Sequence, residues 1–277
     1  MKYSITKQML NKITESTSNI ESVIFDIEKL AKRISEKLNE EGRIIFVGAG
    51  ISSEMSKIII DELWFNFSIP KGKFLSLTSA RNYVEYIDTW KELEELSSTS
   101  IFELDELGLK NNDIVIGLSS SGKTQYVLSA VKYAHDIGCL TACITDINNS
   151  EISKYSNFKI NTKFGLPPIL GLNAAEGGTN QKIILDLIIY NAMSFAGRIY
   201  KKYLVYMKPV SSKIETYCIN TIMEITKFSE KESVRIFEKS GKRLELAIIM
   251  AIKSCSVSEA EKAILLNNKD FNKILNN

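Results

Sequence analysis

The feature that most constrains the fold is a strand, turn and helix grammar that recurs along the chain. Two short apolar runs, Arg43-Ile-Ile-Phe-Val47 and Asp113-Ile-Val-Ile-Gly117, are each followed by a turn of small polar residues and then by helical periodicity. Runs of this kind, with no polar alternation, are strands buried on both faces. The first leads through Gly48-Ala-Gly50 into a helical stretch over 53–65, the second through Ser119-Ser-Ser-Gly-Lys-Thr124 into one over 125–137. A third strand, 140–145, precedes Asp146-Ile-Asn-Asn-Ser150, and shorter candidates lie at 73–77 and 158–162. Strands alternating with helices require crossovers, so the pattern predicts an α/β fold, a doubly wound parallel sheet flanked by helices.

The flanks divide the chain further. Between residues 20 and 38, apolar side chains at Ile20, Val23, Ile24, Ile27, Leu30, Ala31, Ile34 and Leu38 follow the spacing of a helix with one buried face. The stretch 164–178 holds four glycines and two prolines and is expected to be a long irregular loop, with Thr179 capping a helix over 180–200. After Pro209 the pattern is wholly helical, with breaks near Phe228-Ser229, Ser240-Gly241 and 256–258. The expected organisation is an N-terminal helical segment over 1–41, an α/β domain over 42–210 and a small all-helical C-terminal subdomain over 211–277.

Composition removes several classes of function. A formal net charge of +2 gives no electrostatic case for nucleic acid, and no apolar run approaches the roughly 20 residues that span a bilayer. The polar first eighteen residues lack a signal-peptide core, so a cytoplasmic protein with no membrane partner is expected. Cys139, Cys143, Cys218 and Cys255 have no paired ligand spacing and are expected as reduced, buried thiols. The single histidine, His135, falls in a helical pattern where a surface role is expected, so no zinc or other metal site is foreseen and no cofactor is called for. Acid–base chemistry therefore falls to carboxylates, lysines or tyrosines.

In a doubly wound sheet, ligands bind beyond the carboxyl ends of the strands, where both polar turns lie. The second turn offers three consecutive hydroxyls, a glycine that admits close backbone approach, and Thr124 beside a helix N-terminus whose free N–H groups favour an anion. That combination suits a phosphate monoester. Gly122-Lys123-Thr124 imitates the end of a Walker A loop, and Gly48-Ala-Gly50 imitates the start of a dinucleotide fingerprint. Neither nucleotide reading is expected to hold, the second because Ser53 stands at the fingerprint's third glycine.

A strand ending in Gly-Ala-Gly-x-Ser, paired with one ending in Gly-x-Ser-x-Ser-Gly-x-Thr, resembles the sugar isomerase (SIS) domain. Within it, the chain is similar to the N-acetylmuramic acid 6-phosphate etherases and the glucokinase regulatory protein. The best-matched parts are 46–50, 113–127, 178–182 with the following helix, and 244–251. The resemblance implies that Ser119, Ser120, Ser121 and Thr124 hold a sugar phosphate, with Gly50, Ser52, Ser53, Asn173 and Glu176 on the sugar side. It also implies a homodimer, and two catalytic glutamates for an elimination followed by hydration. Glu62 lies twelve residues after Gly50, and Glu94 nineteen residues before Asp113, although Glu92 and Glu95 compete for the second position. The chain departs from the etherase pattern at 50–54, at Leu63-Trp64-Phe65, and over 170–179, where Glu176 replaces a usual lysine. An aldose–ketose isomerase and a non-catalytic sugar-phosphate sensor are the two alternative readings.

Overall fold

The computed structural model describes residues 4–79, 97–162 and 173–276. The chain divides into two compact units, Met1–Ile60 with Gly72–Asn191, and Asp61–Lys71 with Ala192–Asn277. The second unit thus begins ahead of the expected 210/211 boundary, and the first helices belong to the α/β unit.

The first unit carries α1 (Ile5–Ser18) and, after one 3₁₀ turn, α2 (Ile24–Lys37), which buries Ile27, Leu30, Ala31 and Ile34 as their spacing predicts. Five strands follow: β1 (Ile44–Gly48), β2 (Phe74–Thr78), β3 (Ile114–Leu118), β4 (Leu140–Thr145) and β5 (Phe158–Asn161). They form one parallel sheet in the order β2-β1-β3-β4-β5. Helices α3 (Ile51–Phe67), α4 (Ser97–Glu106) and α5 (Gln125–Ile137) lie between strands in sequence, and α6 (Asn173–Phe195) follows β5. Every residue of β1 and β3 is buried, which explains why these strands read as unbroken apolar runs. Behind them, α5 buries Tyr126, Val127, Ala130, Val131 and Ala134 in one cluster with Val115 and Cys143.

At the amino ends of β1 and β3, Asp113 is 1% exposed and fully engaged. It accepts from the backbone N–H groups of Arg43 and Lys110 at 2.6 and 3.0 Å and from Arg43 Nη2 at 2.6 Å. The same guanidinium donates to the carbonyls of Leu107 and Gly108, so charge, strand and loop are fixed together. Burial pushes the Asp113 carboxyl up, but the Arg43 hydrogen bond and the two backbone donors outweigh it and hold its pKa below the usual range.

In the second unit, a two-residue antiparallel ladder joins β6 (Ile199–Tyr200) and β7 (Tyr203–Leu204). Five helices follow: α7 (Ser212–Thr226), α8 (Glu230–Lys239), α9 (Leu244–Lys253), α10 (Val257–Leu266) and α11 (Phe271–Asn276). Residues 244–250 of α9 are all buried, so this helix is the core around which the others pack. The breaks foreseen at 228–229 and 256–258 are capping boxes, Ser229 with Glu232 and Ser256 with Glu259.

Two expectations fail here. The 164–178 loop does not extend to 178: α6 begins at Asn173 and runs through Gly177 and Gly178, so Thr179 is inside the helix rather than its cap. Nor does the helix reach Tyr200. Gly197 takes φ +68 and the Arg198 N–H returns to the Met193 carbonyl at 2.8 Å, a left-handed stop that a residue with a Cβ would resist. Glycine acts in opposite ways at these two places, filling a close contact in one and ending a helix in the other.

Candidate functional site

The order 2-1-3-4-5 places the topological switch point between β1 and β3, and the sheet's ligand crevice lies where the chain leaves those two strands. The polar turns 48–50 and 119–124 leave those very strands. The sequence pattern supplied the turns, and the strand order shows that they are neighbours.

In the second turn Gly122 takes φ +62, and a Cβ there would come within 2.4 Å of the Ser150 side chain, so the turn requires glycine twice over. Its N–H donates to both the carbonyl and Oγ of Ser119, each at 3.0 Å. Ser119 is 3% exposed, and its hydroxyl proton needs an acceptor inside the protein. Thr124 Oγ1 lies 3.1 Å away. When Ser119 donates to Thr124, the Thr124 proton is left to point outward. Thr124 occupies the N-cap of α5, yet its side chain makes no capping bond, so its hydroxyl is not spent on the helix. Ser120 Oγ accepts from Gln181 Nε2 at 3.4 Å and exposed Ser121 Oγ accepts from Lys123 N at 3.2 Å. Both are used as acceptors, leaving their protons to donate to an anion.

The 117–124 string has the spacing of a Walker A motif, so spacing alone does not dismiss it. Geometry does. Gly117 is a buried residue inside β3, and α5 starts only at Gln125, so Lys123 and Thr124 are not in the first turn of a helix, where a P-loop holds them.

The turn after β1 is arranged differently. Gly50 takes φ +54. Ser53 is 1% exposed, donates to the Gly50 carbonyl at 2.7 Å and accepts from Thr78 Oγ1 at 2.9 Å. Its hydroxyl braces the turn from inside, whereas Ser52 is half-buried. The N-terminal part of α6 meets both turns. A Cβ at Gly177 would stand 2.6 Å from Ser120 Oγ and 3.3 Å from an Asp146 carboxylate oxygen, and one at Gly178 would stand 2.9 Å from Ile51. Asn173 and Glu176 lie in the first turns of this helix.

Two groups that the sequence did not single out belong here. Gln181, 1% exposed, turns its Nε2 to Ser120 while its Oε1 has no hydrogen-bond partner among the described residues. Ser79, at the end of β2, is buried with an equally unpartnered hydroxyl, and its N–H donates to the Gly48 carbonyl. Buried orphans of this kind are rare in proteins and are met by a ligand or by water. No sequence signal marks them, since both arise from three-dimensional proximity.

The expected carboxylates stand apart from this description. Glu62 is half-buried on α3 within the second unit, beside buried Leu63 and the edge-to-face pair Trp64–Phe65, whose centroids are 4.7 Å apart. Glu94, with Glu92 and Glu95, lies outside the described residues. His135 is on the surface, as expected. Burial raises the Cys139 and Cys218 thiols to about 11 and about 12, which keeps them protonated and unreactive. Among the described residues, no group of three or more His, Cys, Asp or Glu is placed to hold a metal ion.

Comparison with known families settles the lineage of this hydroxyl-lined crevice. The family profile described as the SIS domain matches residues 8–146, which span both turns. The chain belongs to the SIS domain family. An N-acetylmuramic acid 6-phosphate etherase of Francisella tularensis subsp. holarctica is 30% identical over 246 residues, covering 89% of this chain and 83% of its own. The protein of the same name from Bacillus thuringiensis subsp. konkukian is 28% identical over 260 residues, covering 92% and 87%. Among solved structures, a phosphoheptose isomerase from Neisseria gonorrhoeae aligns with a TM-score of 0.52 at 15% identity, over 67% of this chain and 95% of its own. A Bacteroides fragilis protein involved in capsule formation also aligns at 0.52, with 20% identity, over 72% and 97%. These two likenesses establish the SIS fold, and the etherases extend the sequence match through most of the C-terminal helices.

Proposed function

We propose that this SIS-domain protein is an N-acetylmuramic acid 6-phosphate etherase-like lyase, which cleaves the lactyl ether of a 6-phosphorylated amino sugar to N-acetylglucosamine 6-phosphate and D-lactate. The observation that carries the reading is the hydroxyl cradle at the switch point, set in a chain that matches etherases over about nine-tenths of its length. A phosphate dianion is an acceptor only, and the turn offers it the protons of Ser120, Ser121 and Thr124, with Ser119 holding Thr124 in place. Gly50 and Ser52 would face the sugar ring, Ser53 would support them from within, and Asn173 and Glu176 would approach it from the start of α6.

In the reaction, a base removes the C2 proton and the C2–C3 double bond forms as lactate leaves C3, its oxygen taking a proton. Water then adds across that bond, placing a hydroxyl on C3 and returning a proton to C2. Glu62 and Glu94 would share the base and acid duties. No cofactor enters this chemistry. The protein would act in the cytoplasm as a homodimer, an assembly supported by the family resemblance. No described helix is long and apolar enough to cross a membrane.

The test is to incubate the protein with N-acetylmuramic acid 6-phosphate in heavy-oxygen water and analyse the products by mass spectrometry. Release of lactate, with one heavy oxygen on the sugar, is expected. Solvent hydrogen exchange at C2 without lactate would point to isomerisation instead, a reading that the acidic Glu176 in place of a lysine favours, since a lactyl carboxylate prefers cations.

A further inference from the structure

The second unit contains a cavity of about 350 Å³ that the proposed reaction does not use. Its walls carry five cationic side chains, Arg198, Lys208, Lys242, Arg243 and Lys269, against one acidic side chain, Glu245. Two of the five are already matched. Lys242 lies 2.9 Å from Glu215 and 3.6 Å from Glu238, and Arg243 bonds Glu245 at 2.9 Å and Glu261 at 2.8 Å. Among the described residues, Arg198, Lys208 and Lys269 form no ion pair.

Arg198 is the decisive group. It is 3% exposed, its Nε has no hydrogen-bond partner among the described residues, and its guanidinium stacks 4.9 Å over the Tyr206 ring. A buried guanidinium without a hydrogen-bonded carboxylate is costly, and the one carboxylate that acts on it, Glu245, is already bonded to Arg243. This fold instead fixes it in place: Arg198 directly follows the Gly197 helix stop, and Tyr206 is held by donation to the Lys269 carbonyl at 2.8 Å. Burial, and then the charges of Arg198 and Arg243, lower the pKa of Lys269 against the opposing pull of Glu245, so the cations prevail in this space. Lys242 and Lys269 also adopt left-handed backbone, φ +58 and +61, which residues other than glycine rarely take.

We propose that this cavity is a second anion site, which takes the phosphate of a small phosphomonoester. Three cations without an ion pair suit a dianion, although Lys208 also lies 3.6 Å over the Trp64 ring, and the planar donor fork of Arg198 suits two phosphate oxygens at once. The volume is at the lower end of the roughly 300–1,000 Å³ typical of ligand pockets, which suits a small ligand. The site stands independently of the reaction proposed above, because neither the hydroxyl cradle nor the glutamates contribute to it.

Calorimetric titration of the full chain at low salt tests the proposal, with inorganic phosphate and N-acetylglucosamine 6-phosphate as probes and the Thr124→Val variant as host, so that the cradle is weakened. One site is expected to remain, with the two probes competing for it and the ester binding more tightly. Adding Arg198→Met should weaken that site about tenfold or more, the loss of a hydrogen bond between charged partners. Lys269→Gln should weaken it several-fold. Arg198→Met keeps the side-chain volume and removes an unmatched charge, so its melting temperature should be no lower than that of the host. If that variant fails to fold, Lys208→Gln and Lys269→Gln carry the test from the cavity wall. Absence of phosphate binding in the host, binding indifferent to these substitutions, or binding of citrate in preference to phosphate would each overturn the proposal.

Discussion

The two ends of the parallel sheet are built on opposite principles. At the amino end, Asp113 and Arg43 carry full charges, and the carboxylate is saturated by backbone and guanidinium donors. At the carboxyl end the turns carry mainly uncharged hydroxyls, with Lys123 their one charged side chain, and several keep a proton or a lone pair unused. The first arrangement contributes stability and has no capacity left for a ligand. The second contributes little to stability and is open to one. The fold separates the two tasks along the length of β1 and β3.

The strongest way to break this comparison is to remove the clamp. Asp113→Ala should lower stability by about 2–3 kcal/mol, measured by urea denaturation, from the lost charged hydrogen bonds, since Arg43 is partly exposed and keeps its carbonyl partners. The fraction that remains folded should bind sugar phosphate as before. A loss below about 1 kcal/mol would deny the clamp its role. The same group fixes an acid limit. Because its folded pKa is depressed, its contribution is complete above the unfolded aspartate pKa of about 3.9 and is lost as pH falls through the lower folded value. The stability gap between wild type and Asp113→Asn should therefore narrow only below about pH 4, as seen in acid titrations of unfolding.

At the other end the balance should reverse. Thr124→Val is expected to weaken sugar-phosphate binding by about 1.5–3 kcal/mol while the melting temperature stays nearly constant, because Thr124 makes no capping bond. Gly122→Ala should have a mixed effect, costing about 1–3 kcal/mol of stability through its positive φ and the Ser150 overlap, and loosening the cradle as well. The smallest structural effect belongs to exposed Ser121. Its alanine variant should change stability by less than about 0.5 kcal/mol, yet still reduce affinity in a binding titration.

Much of this layout was legible in the sequence, and the limits of that legibility have physical reasons. The strands were visible because burial on both faces leaves no polar residue in β1 or β3, and the cradle was visible because hydroxyls cluster in one turn. The strand order was not, since pairing joins residues far apart in sequence, such as Ile44 with Ile114. The start of α6 was misread because Gly177 and Gly178 signal a loop, whereas here they make room for Ser120 and Ile51 within a helix. Gln181, Ser79 and Arg198 gave no signal, because an unmatched polar group is defined by what fails to surround it. Ser53 was expected among the ligand contacts, and its hydroxyl is instead shared between Gly50 and Thr78.

The central claim is that the 119–124 turn holds the phosphate of a sugar, and one measurement addresses it directly. In the Arg198→Met background, where only the turn should respond, the affinity for N-acetylglucosamine 6-phosphate is compared with that for N-acetylglucosamine, with and without Thr124→Val. The account requires binding that depends on the phosphate and falls about tenfold or more when the Thr124 hydroxyl is lost. Equal affinity for the two sugars, or a phosphate-dependent affinity unchanged by Thr124→Val, would contradict it.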